Sequence, residues 1–193
     1  MEEIRQKISA NTSMIPDELR IALSLGEKPK DSAVLVPLII HQELVSLLYT
    51  LRSNSLDRHK GQVSFPGGLI EATDSSAIET ALRETWEEIS IENQSIQVVG
   101  QLNPINTSTG YIVYPVIGIV ENLEMMNRNR IEVDRIFCIP LEWLCDPSHS
   151  RIKEYVTPEG ETRPVWFFDV YDGELLWGIT AKITKDLLKL IKK

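Results

Sequence analysis

The chain has 193 residues, 42% of them hydrophobic and 25% charged, with a formal net charge of −8. That length and apolar content suit one compact domain with a sizeable core, and the acidic balance argues against gripping nucleic acid or an anionic membrane by general electrostatics. Only two cysteines, Cys138 and Cys145, are present, so two semi-buried free thiols in a reducing, cytoplasmic compartment are expected rather than a disulfide framework. The longest apolar runs, such as Ala33 to Ile40, are too short to span a bilayer, and the N-terminus lacks a signal-peptide pattern.

In chain order, residues 1–10 and 16–25 read as two short helices, the second with Pro16 in its first turn and Gly26 beyond its end, making a helical extension over 1–29. The remaining residues, 30–193, read as one domain. Val- and Leu-rich runs at 32–40 and 44–52 predict a strand hairpin. Residues 53–68 are polar with Gly and Pro, hence loop with one short strand at "QVSF", and Gly67-Gly68 reads as a tight turn. A helix is predicted over 75–90. Strand character returns at 96–102 and 111–120, where Pro115 points to an edge or a bulge. A strand at 135–140 leads into a short helix at "LEWL". "VWFFDV" and "ELLW" flank Asp172-Gly173 as a hairpin, and residues 180–192 form a closing amphipathic helix. The expected class is α/β, a mixed sheet flanked by helices.

Within the helix at 75–90, Ile78, Leu82, Thr85 and Ile89 fall on one face as the expected buried stripe. Ser76 with Glu79 fits a capping box and sets the start near residue 76. Glu84, Glu87 and Glu88 stand at i, i+3 and i+4, on one patch away from that stripe. Like charges at this spacing cost a helix a few tenths of a kcal/mol per pair. A hard divalent cation, Mg2+ or Mn2+, would offset the cost, because such ions prefer carboxylate, carbonyl and water oxygens and bridge protein to phosphate. The competing reading is a solvated acidic face.

Gly68, Asp74 and "RETWEEISI" (83–91) resemble the Nudix box of hydrolases that cleave a nucleoside diphosphate linked to another moiety. The preceding "LLYTLRSNSLDRHKGQVSFPGG" (47–68) is similar to the extra motif of the coenzyme A diphosphatase branch, with Leu47, Leu48, Thr50, Arg52, Ser53, His59, Gly61, Gln62, Ser64 and Phe65 to Gly68 in place. The resemblance covers roughly 30–190. Departures are Ser90 where the box has glycine, Asp74 as the loop acid, and a spacing from that acid to Arg83 one residue longer than the general pattern.

This resemblance implies a Nudix-type α/β/α sandwich and metal-dependent hydrolysis of coenzyme A, or a derivative, to 4'-phosphopantetheine and adenosine 3',5'-bisphosphate. Another nucleoside diphosphate derivative, such as NADH or ADP-ribose, is the alternative substrate, and a non-catalytic nucleotide-binding module the alternative class. It implies Arg83, Glu84, Glu87 and Glu88 as catalytic residues, with the three glutamates holding metal. Arg83 either fixes a carboxylate through a bidentate pair or pairs with Glu79 on the surface. The general base is Glu87 or a downstream carboxylate such as Glu121, Glu124 or Glu132. Arg52, Arg58, His59 and Lys60 form a basic cluster before the glycines, with Arg52, Arg58, His59, Gly67 and Gly68 as candidate substrate-binding residues. His59 reads equally as a structural histidine of the loop. His41 and His149 read as bystanders, and Trp143, Trp166 and Trp177 as core. No nucleic-acid or membrane partner is expected, and a homodimer is open.

Overall fold

Two Val- and Leu-rich strands open the domain as an antiparallel hairpin and then part. In the computed structural model, which describes residues 2–11, 30–41, 44–55, 59–107, 110–156 and 160–192, β1 spans Lys30–His41 and β2 spans Leu44–Arg52. They pair only from Leu38↔Leu47 to His41↔Leu44. Beyond that point the inner edge of β1 is taken by β4 (Gly67–Leu69), and that of β2 by β3 (Val63–Ser64). The segment 61–69 is thereby wedged into the fork. Gly67-Gly68 is strand, not the tight turn expected. The helix expected over 16–25 and Arg58 lie outside the described residues.

The outer edge of β1 pairs in parallel with β7 (Tyr111–Val120) from Lys30↔Tyr111 to Ile39↔Val120. On its far side, β7 meets β5 (Ile96–Gln101) up to Gln101↔Val116 and then β6 (Ile105–Asn106) from Ile105↔Val113. Pro115 therefore lies inside a central strand, at the gap between two partners. Its carbonyl still accepts from Leu102 N at 2.9 Å, and its missing N–H is tolerated where the ladder changes hands. β8 (Val133–Pro140) covers the outer edge of β2. A second sheet runs β11 (Glu174–Trp177), β10 (Thr162–Tyr171), β9 (Ser150–Val156).

Period-2 alternation sends successive β1 side chains to two cores. Ala33, Leu35 and Ile39 pack with Ala81 and Ile89 of α2 (Ala77–Ile89). Val36 and Leu38 pack on the opposite face with Ile8 of α1 (Glu2–Asn11) and with Ile183, Leu187 and Ile191 of α4 (Gly178–Lys192). Helices thus cover both faces of a mixed sheet, the α/β/α arrangement. A short α3 (Leu141–Cys145) follows β8, and Tyr49 Oη meets Thr184 Oγ1 at 3.0 Å, pinning β2 to α4. Among the described residues, no helix is long and apolar enough to cross a membrane.

Candidate active site

The glutamate helix begins at Ser76, whose side chain accepts from Glu79 N at 3.2 Å. The return half of the box is displaced by one residue: the Glu79 carboxylate takes Ser75 N at 2.7 Å and Ser75 Oγ at 2.5 Å. Glu79 is so engaged there that Arg83 turns elsewhere. Arg83 Nε and Nη2 donate to the two oxygens of Asp74 at 3.0 and 2.9 Å, a bidentate pair, and Nη2 also reaches Leu69 O at 3.1 Å. The guanidinium depresses the Asp74 carboxyl far below the usual range, helped by Glu71 N and Thr80 Oγ1. From this anchor Nη1 donates to Glu84 Oε1 at 2.9 Å and Glu87 Oε2 at 3.4 Å. The helix ends at Ser90 in the left-handed region (φ 56°), which explains why glycine suits that place in the resembling pattern.

Burial along α2 departs from the expected stripe. The buried residues are Thr80, Ala81, Thr85, Glu88 and Ile89, whereas Ile78 and Leu82 are only partly covered. The three glutamates are graded rather than equally exposed: Glu87 is 48% exposed, Glu84 15% and Glu88 3%. The α2 face that carries Glu88 looks into the β1–β2 fork, so that carboxylate is drawn under the wedge.

Around Glu88 compensation is sparse. Gly67 N donates to Oε2 at 3.4 Å, and Arg52 Nη1 stands 3.7 Å from Oε1. Loss of solvent pushes the Glu88 carboxyl up to about 8, with Arg52 opposing and Glu84 and Glu132 adding to the rise. Burial likewise raises Glu84, against the pull of Arg83. Both glycines serve close approach. A Cβ on Gly68 would lie 2.4 Å from the Glu84 carboxylate, and one on Gly67 would lie 2.3 Å from Ala33 O.

Of the remaining candidates, Glu132 is half-buried and close enough to raise both Glu84 and Glu88. Glu121 instead faces Arg5 at 3.6 Å, and Glu124 is exposed. His59 is exposed in a left-handed turn, with Nδ1 3.1 Å from Gln62 Oε1. His149 stacks on Trp143 at 4.3 Å. Trp143 and Trp166 pack against the α4-side core, and Trp177 stacks on Phe167. Both cysteines are free; Cys138 is exposed rather than semi-buried. The carboxylate that Arg83 fixes in a bidentate pair is that of the loop acid Asp74, and Trp86 on the outward side of α2 is 55% exposed.

Comparison with known proteins decides the family. The model of the NUDIX domain matches residues 29–159. The chain belongs to the Nudix family. Among similar proteins, an uncharacterized Nudix hydrolase NudL of Photorhabdus laumondii is 39% identical over 168 residues, covering 87% of this chain and 88% of the relative. A protein of the same name from Escherichia coli K12 is 37% identical over 158 residues, covering 82% and 81%. In fold, a MutT/nudix family protein from Enterococcus faecalis aligns over all of this chain and 74% of its own, with TM-score 0.55 and 17% identity. The Nudix family supports hydrolysis of a phosphoric anhydride in a small nucleoside diphosphate derivative.

Among the described residues, no three His, Cys, Asp or Glu side chains form a ready-made metal cage. The donor chemistry nevertheless fits a hard cation. Glu84 and Glu88 are oxygen donors one helical turn apart, both desolvated and backed by a glycine wall; Glu84 shares Arg83 with Asp74, and Glu88 has only Arg52 at 3.7 Å. Mg2+ and Mn2+ commonly take one or two protein carboxylates and complete their shell with water and substrate phosphate.

Proposed function

We propose that this Nudix protein hydrolyses the diphosphate of coenzyme A or a derivative to 4'-phosphopantetheine and adenosine 3',5'-bisphosphate, using Mg2+ or Mn2+ held chiefly by Glu84 and Glu88. The observation that carries the reading is the position of the 47–68 segment, which resembles the coenzyme A motif. It builds the wall facing the Nudix helix, putting Arg52 at Glu88, Gly67 N at the same carboxylate and Gly68 against Glu84. A segment so placed can select substrate and assist cleavage together.

The cation supplies Lewis-acid stabilisation of the diphosphate charge. Asp74 fixes Arg83, and Arg83 fixes Glu84 and steadies Glu87. The absence of side chains at Gly67 and Gly68 lets β4 pack directly against β1 and against the Glu84 carboxylate, which holds that carboxylate close to the wall. Glu132 receives a proton from the attacking water as its oxygen bonds to phosphorus and the bridging P–O bond breaks. The other phosphate leaves with the bridging oxygen. Arg52 is close enough to share its guanidinium between Glu88 and a substrate phosphate, and exposed Lys60 and His59 remain for the 3'-phosphate.

Mass spectrometry of products from coenzyme A, NADH and ADP-ribose, each with Mg2+ or Mn2+, tests the assignment. Adenosine 3',5'-bisphosphate with faster turnover of coenzyme A than of the other two supports it. Products with an intact diphosphate, or faster cleavage of ADP-ribose or NADH, overturn the coenzyme A reading.

A further inference from the structure

The connection between β7 and β8 does two things at once. A helix leaves its last carbonyls without intrahelical partners, and this connection supplies donors: Asn127 N reaches Ile89 O at 3.1 Å, and Asn129 N reaches Glu88 O at 2.8 Å. Asn129 then organises the chain that follows. Its Oδ1 accepts from Ile131 N at 3.1 Å, its carbonyl accepts from Glu132 N and Val133 N at 3.1 and 2.8 Å, and its Nδ2 donates to Glu132 Oε1 at 3.3 Å. On the other side, Ser53 N donates to Glu132 O at 2.8 Å. Glu132 is thus held between the end of the glutamate helix and the end of β2.

This restraint opposes a force. Glu132 interacts unfavourably with both Glu84 and Glu88, and a free carboxylate on a connecting segment would swing toward water. We propose that Asn129 is a further positioning residue of this site: it ties the backbone of the Nudix helix at Glu88 to the carboxylate of Glu132, so that the loop acid faces the helix acids. The inference rests on the hydrolase reading for its kinetic consequence, while the coupling itself concerns only residues of this chain.

A double-mutant cycle between Asn129→Ser and Glu132→Gln tests it. Serine keeps a short turn acceptor for Ile131 N but cannot reach Glu132. In the parent background Asn129→Ser is expected to lower kcat by roughly 10-fold or more, as for other lost supporting contacts, with KM nearly unchanged. In the Glu132→Gln background it should cost less than about two-fold, because coupled residues are not additive. Asn129→Asp, which retains the Oδ1 turn acceptor but loses the donor, replaces Ser if the loop loosens. Mn2+ affinity of the four proteins, read by electron paramagnetic resonance, is expected to show the same non-additivity. Equal losses in both backgrounds, or parental kcat and Mn2+ affinity in Asn129→Ser, overturn the proposal. If the parent cleaves no nucleoside diphosphate derivative, the hydrolase reading fails, and the Mn2+ cycle alone decides the coupling: identical affinity in all four proteins overturns it.

Discussion

Arg52 Nη1 lies 3.7 Å from Glu88 Oε1, and Arg52 Nε is buried without a hydrogen-bond partner among the described residues. The arginine is directed at the buried carboxylate of the Nudix helix, beside the proposed metal site, rather than out into solvent. Arg52→Ala is therefore expected to reduce turnover of coenzyme A and of 3'-dephospho-coenzyme A by the same factor, about 10- to 100-fold. Parallel kinetics on the two substrates check this. A loss confined to coenzyme A would return Arg52 to the 3'-phosphate.

Glu88 gives the metal-free protein a pH dependence of definite sign. Its folded pKa, about 8, lies above its ordinary 4.5, so the folded state holds a proton that the unfolded chain releases. That contribution is complete below about pH 4.5 and is lost as pH rises through about 8. Denaturant titrations at pH 6 and pH 9 should show the parent losing about 3 kcal/mol more than Glu88→Gln over that interval. Equal slopes for the two proteins would show that the carboxyl is not held protonated.

The adjacent glycines should fail in different ways. A Cβ on Gly68 meets the movable carboxylate of Glu84, whereas one on Gly67 meets the Ala33 carbonyl and the Val34 backbone. Gly68→Ala is expected to fold with nearly parental stability and lose most activity. Gly67→Ala is expected to lose about 2 kcal/mol or more of stability, as overpacking against fixed backbone does. Melting temperature and turnover, measured on both, separate the cases.

Asp74→Asn keeps the shape of the loop acid and removes the charge that anchors Arg83. Because Arg83 holds Glu84 as well, kcat is expected to fall by about 10-fold. The Asp74 side chain is 3% exposed and multiply hydrogen-bonded, so weakening these charged hydrogen bonds should cost about 2 kcal/mol in stability. In the parent, the Asp74 contribution is present at neutral pH and disappears as pH falls below the ordinary carboxylate range, since its folded pKa is depressed. Acid denaturation of Asp74→Asn should begin from a lower stability and show a shallower acid slope.

Local patterns made much of this fold legible. The Val and Leu runs of β1 and β2, the Ser76 cap and the Asp172-Gly173 turn each rest on neighbours in sequence, and each appears where those neighbours indicate. Long-range pairing carries no such local mark. Nothing near Lys30 announces its parallel partner Tyr111, and that pairing is what makes the Pro115 strand central. Pro66-Gly67-Gly68 has turn composition, yet wedging into the β1–β2 fork makes Gly67-Gly68 strand, because only glycine fits against Ala33 O and Glu84. β9, "SRIKEYV", was missed because its exposed edge leaves no apolar alternation. In the site, helical spacing gathers Glu84, Glu87 and Glu88 on one patch away from the expected buried stripe but does not distinguish their burial. The burial of Glu88 comes from the opposing wall of 61–69, and helix periodicity contains no information about that wall.

The most direct test of the acidic patch as the metal site is the shift in melting temperature on adding excess Mn2+, compared between the parent and Glu88→Gln. An ion that binds only the folded state stabilises it by mass action, and glutamine keeps the size of Glu88 without its charge. A metal site at Glu88 predicts a clear Mn2+-induced rise in the parent, a much smaller one in Glu88→Gln, and a metal-free melting temperature for the mutant at or above that of the parent. An equal Mn2+-induced rise in both proteins would contradict it and place the metal elsewhere.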